Sequence, residues 1–375
     1  MAHAYTPGLK VLHETKVIKE RRLPLKGDVL KKKGEAVSPD DIVATTDLPG
    51  NVQMVNVANL LNIDAADIAD VMKVQKGNKF EKNDLIAETA GLFGLFKSKV
   101  PAPVSGTLES FSEITGQVVL REAPIPVEMD AYVSGNVKEV IPDEGVYIET
   151  DAAFIQGIFG IGGESRGDLK IITKSREDEI ISDMLDSSLA GKVVVGGSHI
   201  SLATYKKAIS LKIAAIVVGG FNYNDLKPIL GYTLGVAITG SEDLVTSLVV
   251  TEGFGKINMG SRTFDLLKLH DGNFVSVNGA TQIRAGVIRP EIVIPLKKEN
   301  ISGKHKNIDA SMGITDDSLI RVIRAPYFGK IGKVISLPNE LQKMESETMV
   351  RVAEVEINGE KLVVPRANLE MVETD

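Results

Sequence analysis

Apolar residues along this chain fall into distinct patterns, each with its own stretch. Between residues 169 and about 295 they come in continuous runs of four to six, separated by helical segments. Residues 192–197, 213–220, 235–239, 248–251, 274–277 and 292–294 read as strands. Residues 201–211, with Ser201 as N-cap, 222–230 and 264–269 read as helices. Strands that are apolar without alternation are buried on both faces, so this stretch predicts an α/β unit with a parallel sheet.

The N-terminal part has shorter strands, at 23–30, 33–37, 41–44 and 52–57. A small helix follows over 59–69, with an apolar stripe of Leu60, Leu61, Ile63, Ile68 and Val71 and Asp64 as a cap. One local design recurs. Lys33-Gly34-Glu35-Ala36-Val37 leads to Ile42-Val43-Ala44, and Lys76-Gly77-Asn78-Lys79-Phe80 leads to Leu85-Ile86-Ala87, with a weaker echo at 133–149. The glycine permits positive φ in each turn, and the apolar residue after it returns the chain to a core. Repeated short strands of this kind predict a compact sandwich or barrel. Residues 297–317 are polar and of mixed charge, as in a mobile linker. From 318 onward short strands return, with 348–357 and 360–365 joined by the hairpin signal Asn358-Gly359.

The chain therefore reads as multidomain β plus α/β: a β domain over 1–170, an α/β domain over 171–296 of Rossmann-like or swivelling type, a linker over 297–317, and a small SH3-like barrel over 318–375. Two resemblances refine this. Val74-x-x-Gly77 followed by Leu85-Ile86-Ala87, then Ala102-Pro103-Val104-Ser105-Gly106-Thr107, resembles the barrel-sandwich hybrid fold. Biotinyl and lipoyl carrier domains, membrane-fusion adaptors and the C subunit of Rnf-type electron-transport complexes share that fold. The resemblance covers roughly residues 15–170. In a carrier it implies a modified lysine on an exposed hairpin, which here would be Lys97 or Lys99; the flanking methionines of the carrier motif are missing. The Rnf-type role implies cysteine ligands that this chain lacks. The run Arg321-Val322-Ile323-Arg324-Ala325-Pro326-Tyr327-Phe328-Gly329-Lys330-Ile331-Gly332-Lys333-Val334 is similar to KOW modules of transcription-elongation factors and ribosomal proteins. That implies RNA or protein binding, with Arg321, Arg324, Tyr327, Phe328, Lys330 and Lys333 as contacts.

Composition narrows these readings. With 375 residues, 43% hydrophobic and 25% charged, the chain is ordinary globular material for two or three domains. Cys is absent, which excludes disulfides, thiolate metal sites and Cys nucleophiles. The net charge of −7 disfavours a general nucleic-acid binder. Residues 318–375 carry eight Lys/Arg and nine Asp/Glu, 8 − 9 = −1, too little positive charge for strong phosphate neutralisation. Residues 1–36 carry nine against four, 9 − 4 = +5, which suits a solvated surface or an acidic partner. No signal-peptide pattern and no apolar run of membrane-spanning length occurs, so a cytoplasmic location is expected.

Candidate chemistry concentrates in two places. Gly196, Gly197, Gly219 and Gly220 end predicted strands, where α/β sheets bind ligands and helix N-termini offer N–H donors. Ser198, His199, Thr239, Ser241, Thr251 and Glu252 would line that edge, and His199 would be a base or phosphate acceptor. The bland alternative is that these glycines only permit tight turns. Gly160, Gly162 and Gly163 lack the Gly-Lys-Ser/Thr continuation of a phosphate loop and read as a structural connection. Asp265, His270 and Asp271 sit in a polar turn. The second place is the run Gly91–Phe96, where Leu92, Phe93, Leu95 and Phe96 mark either a partner-binding tip or a contact within the chain. No metal site and no cofactor is expected. The leading expectation is a non-enzymatic cytoplasmic scaffold or adaptor that docks a macromolecular, most simply a protein, partner through its KOW-like and barrel-sandwich modules. The alternatives are an RNA-, ribosome- or RNA polymerase-associated factor, and a carrier or phosphorylated-ligand binder.

Overall fold

The computed structural model describes residues 9–91, 96–232, 239–282, 288–297, 314, 316–324, 327, 330–338, 340–344, 349–357 and 359–374, for 371–374 the backbone only. It is mostly β, with several sheets and few helices.

The long strand Leu9–Arg22 forms the spine. It runs antiparallel to Gly145–Gln156 from Val11↔Ile155 to Arg22↔Gly145, with an irregularity between Leu12 and Thr15. From Gly145–Gln156 the pairing passes antiparallel to Glu291–Pro295, Phe274–Asn278 and Glu164–Ile171. It then turns parallel through Val193–Val195, Ala215–Phe221 and Ser247–Phe254. Phe159–Ile161 pairs antiparallel with Ser247–Phe254, and it directly follows Gly145–Gln156 in the chain, so this curled path comes back beside its start. The apolar runs are buried as expected of strands covered on both faces: every residue of Val193–Val195 and Ala215–Phe221 is buried. The parallel neighbour of Ala215–Phe221 is Ser247–Phe254; of the strand expected at 235–239, residues 235–238 lie outside the described residues.

Local signals set the helices. Ser201 Oγ accepts the Thr204 N–H at 3.2 Å and caps Leu202–Ser210. Asp64 caps the short turn before Ile68–Val71 by accepting the Ala66 N–H at 3.1 Å. The two recurring turns take the same backbone form, with Gly34 at φ +84° and Gly77 at φ +85°.

A separate unit is inserted between Leu48 and Ile125. The strands Ile42–Leu48 and Ile125–Asp130 pair antiparallel, ending at Leu48↔Ile125, and carry the chain out and back. Beyond them Val52–Asn56, Gln117–Glu122, Gly106–Phe111 and Lys79–Phe80 form a four-stranded antiparallel sheet, and Leu85–Glu88 pairs with Lys99–Pro101. This unit has its own apolar cluster, including Val57, Ile68, Phe80, Ile86, Leu108, Val118 and Leu120. A second such unit, with Ile320, Val334, Val355 and Leu369 in its core, is C-terminal. It joins the spine through the parallel pairing of Leu369–Thr374 with Leu9–Val11. The stretch expected to be a linker lies mostly outside the described residues, at 298–313 and 315.

Because the inserted unit is closed around its own core, Leu120→Ala should cost about 2–5 kcal/mol within it. Hydrogen exchange should accelerate across residues 52–122 and leave Ala215–Phe221 protected. Equal acceleration in both would show that the insert does not open separately.

Candidate functional site

The strand-end glycines are packed under the chain's own backbone. A Cβ on Gly197 would lie 2.5 Å from Ser175 O, one on Gly219 2.2 Å from Ile257 O, and one on Gly220 2.1 Å from Gly255 O. Gly196 faces the Ile180 side chain at 2.3 Å. Segments 175–180 and 255–259 therefore fill the edge where a ligand would sit above these four residues. Ser198 donates its hydroxyl to Glu177 O at 2.7 Å. His199 is buried, its Nε2 has no hydrogen-bond partner among the described residues, and burial holds its pKa down against the pull of Glu179 and Asp225. Thr239 donates to Gly160 O at 2.8 Å, and Ser241 is exposed. The amides of Gly162 and Gly240 both donate to Glu242 Oε2, so the chain's own carboxylate occupies that turn. His270 contacts Asn273 Nδ2 through Nδ1 at 3.0 Å; Asp271 accepts the Ile171 N–H and pairs with Lys170, while Asp265 is exposed.

Thr251 and Glu252 have a different setting. Ser247–Phe254 carries them to the seam between the central sheet and the C-terminal unit, where they meet Arg321. Arg321 was a candidate for contacting a partner, yet it is only 3% exposed. Its Nη2 donates to Glu252 Oε2 at 2.6 Å, and Glu252 Oε1 accepts the Gly260 N–H at 2.9 Å. Across the pair of strands Leu319–Val322 and Leu369–Thr374, Arg321 lies opposite Glu370. Glu370 in turn accepts from Arg289 Nη2 at 2.8 Å, and Arg289 Nη1 donates to Ile158 O at 3.0 Å. The result is a chain of alternating buried charges, Arg289, Glu370, Arg321 and Glu252, that crosses the seam twice. Burial pushes the Glu370 carboxyl up from its ordinary value, with Arg289 and Arg321 pulling the other way.

Beside this chain of charges is a cavity of about 250 Å³. It is lined by apolar Leu9, Val11, Leu319 and Ile331 and by Arg176, Thr251, Glu252, Arg321 and the first turn of the helix Ser261–Leu269. Arg289, Glu370 and the 260–263 turn were not singled out from the sequence. For Glu370 the available signal was a charged residue at an inward position of an alternating strand, which reads equally well as a solvated face.

No model of a known protein family matches the chain, and no curated protein does. The site is therefore read from its geometry. Among the described residues no group of three His, Asp or Glu side chains is placed to hold a metal, and no helix is long and apolar enough to cross a membrane.

The remaining candidates lie on surfaces. Phe96 is 90% exposed, and Leu92, Phe93 and Leu95 lie outside the described residues. Lys97 and Lys99 both pair with Glu88, at 3.2 and 3.7 Å, and hold its pKa down. Lys333 pairs with Asp317 at 2.9 Å, Lys330 sits 5.4 Å from the Tyr327 ring, and Arg324 is exposed; Phe328 lies outside the described residues.

The raised Glu370 pKa gives a pH signature. The folded carboxyl holds its proton more tightly than the unfolded one. Its linked stabilisation is thus complete below the ordinary value of 4.5 and is lost as pH rises through the folded pKa. Glu370→Gln removes this titration. The Tm of the wild type minus that of E370Q should fall as pH rises above about 4.5 and then level off; a difference that grows with pH would contradict the assignment.

Proposed function

We propose that this chain is a non-enzymatic cytoplasmic scaffold or adaptor that docks a protein partner through its inserted unit. The observation that carries this reading is an apolar surface on a unit with a complete core of its own. Met54 is 61% exposed, Leu60 63%, Phe96 90% and Ile114 91%, although Val57, Ile86 and Leu120 already fill the interior. Met54 and Leu60 line a shallow groove with Val100, Pro101 and Pro103. Exposed apolar groups such as Met54 and Leu60 that share a groove favour an interface. The paired strands Ile42–Leu48 and Ile125–Asp130 connect the inserted unit to the rest of the chain.

We read residues 15–170, whose barrel-sandwich motif falls in the inserted unit, as resembling the barrel-sandwich hybrid, the central sheet as a Rossmann-like α/β unit and the C-terminal unit as a KOW-like barrel. An RNA-contacting role for the last is less favoured by the geometry. Arg321 is buried in an internal ion pair and Lys333 is paired with Asp317, which leaves little clustered positive charge for phosphates.

The test is capture from the cells that make the protein, with cross-linking through lysines. Partner cross-links should concentrate on Lys73, Lys76, Lys79 and Lys82 of the insert. Phe96→Ser, and separately Met54→Glu with Leu60→Glu, should lower capture about tenfold. These side chains are exposed, so Tm should stay within about 2 °C of wild type. Cross-links confined to other units, or capture unaffected by either variant, would overturn the proposal.

A further inference from the structure

The strand Val52–Asn56 lies at the edge of the inserted unit's four-stranded sheet, and among the described residues it pairs on one side only, with Gln117–Glu122. The Glu122 N–H donates to Asn51 O at 3.0 Å. In an antiparallel ladder of that register the backbone groups of Gln53 and Val55 also turn toward Gln117–Glu122, and those of Val52 and Met54 turn the other way. Residues 53–56 line the groove that holds Met54 and Leu60, and none of Gln117–Glu122 does, so the groove is on the open side of the strand.

Unpaired edges invite unwanted pairing, and folded chains usually blunt them with charge or proline. This chain does so at its other edges. Lys79–Phe80, at the opposite edge of the same sheet, carries Lys79. Ile125–Asp130, at the edge of the three-stranded sheet, carries Pro126 and Glu128, and Lys99–Pro101 carries Lys99 and Pro101. Val52–Asn56 has neither charge nor proline, and all of it but Val55 is exposed. No residue lining the groove is charged.

These features dictate the conformation and chemistry of what fits. A row of edge N–H and C=O groups is met by extended backbone, and a neutral apolar lining favours uncharged side chains. Of the other lining residues, Pro101 and Pro103 have no N–H to donate, which leaves Val52–Asn56 as the edge that accepts a strand. A second copy of the chain fits less well. It would offer the same five residues, whose ladder stops where the helix Val57–Leu61 begins, and so short a contact is small against the area a stable dimer buries.

We propose that the inserted unit takes an uncharged, extended segment of a partner protein as an added strand along Val52–Asn56. The backbone groups of Val52 and Met54 supply the hydrogen bonds, and apolar side chains of the segment settle against Met54, Leu60 and Val100. Strand addition is one mode of the docking proposed above and rests on that reading.

The test uses the full-length protein and, as probes, synthetic peptides selected from a random phage-displayed library about ten residues long. Selected peptides should be uncharged and alternate apolar with polar residues. Their binding should slow hydrogen exchange at the Val52 and Met54 amides about tenfold or more and change Gln53 and Val55, already in the ladder, far less. N-methylation of every second peptide residue should abolish binding in one register and leave it within about threefold in the other. Met54→Pro removes an outward N–H and no ladder bond, as proline at a strand edge allows, and should weaken binding about tenfold. Met54→Val keeps that N–H and should bind within about threefold of wild type. If Met54→Pro fails to fold, the exchange and N-methylation results decide. No selected peptide, binding without protection of Val52 and Met54, or indifference to N-methylation in both registers would overturn the proposal. A dimer of the protein that Met54→Pro dissociates would also overturn it, by assigning the edge to a second copy. Any of these failures, with partner cross-links still concentrated on the insert, would remove strand addition and leave docking through the insert standing.

Discussion

The run of buried charges from Arg289 through Glu370 and Arg321 to Glu252 sets how the C-terminal unit meets the rest of the chain. Arg289 and Glu370 are 8% and 1% exposed at the side chain, Arg321 and Glu252 4% and 3%. At that burial, desolvation opposes much of the Coulomb attraction, and the net stabilisation of such a pair against an apolar replacement is small. Removing one partner is another matter, because the charge left behind has nowhere to go. The chain of charges therefore acts mainly to define one docking geometry. Only the arrangement that brings Arg321 to Glu252 and Glu370 to Arg289 leaves each charge paired. The three-residue parallel ladder between Leu369–Thr374 and the start of Leu9–Arg22 sets the direction, and the charges set the register.

The spine strand explains why one interaction matters so widely. Leu9–Arg22 pairs with Gly145–Gln156 along almost its whole length and with the C-terminal unit at its first residues. A shift of the C-terminal unit would pull on the strand that borders the central sheet, and Val11 lies in the same apolar cluster as Val193, Val217 and Val249. The inserted unit stands apart from this arrangement, with its own core and a two-stranded connection. The architecture thus combines two units locked by buried charge with one closed unit held outside them.

What the sequence made legible was local. Ser201 and Asp64 announce their helices because a capping oxygen acts on an N–H two or three residues away. Gly34 and Gly77 announce their turns because few residues tolerate φ near +85°. The buried runs at 193–195 and 215–221 announce a sheet covered on both faces. The glycines at 196–197 and 219–220 were equally visible, but their use was not, because Gly255, Ile257 and Ser175 arrive over them from distant parts of the chain. The site was half legible for the same reason. Thr251 and Glu252 stood out at the end of an apolar run, and Arg321 in a KOW-like motif, with nothing to say that residues 69 positions apart share a hydrogen bond. Glu370 gave only a weak signal, since a lone charge in an alternating strand usually faces water, and Arg289 lies outside any strand, just before Glu291–Pro295.

The central claim is that Glu252 and Arg321 are energetically coupled across the seam. A double-mutant cycle measures this directly, using denaturant unfolding of wild type, Glu252→Leu, Arg321→Leu and the double variant. Each single variant should lose about 3–5 kcal/mol, and the double variant should recover most of that loss. A coupling energy near zero, with the two single losses simply adding, would show that the pair does not hold the units together.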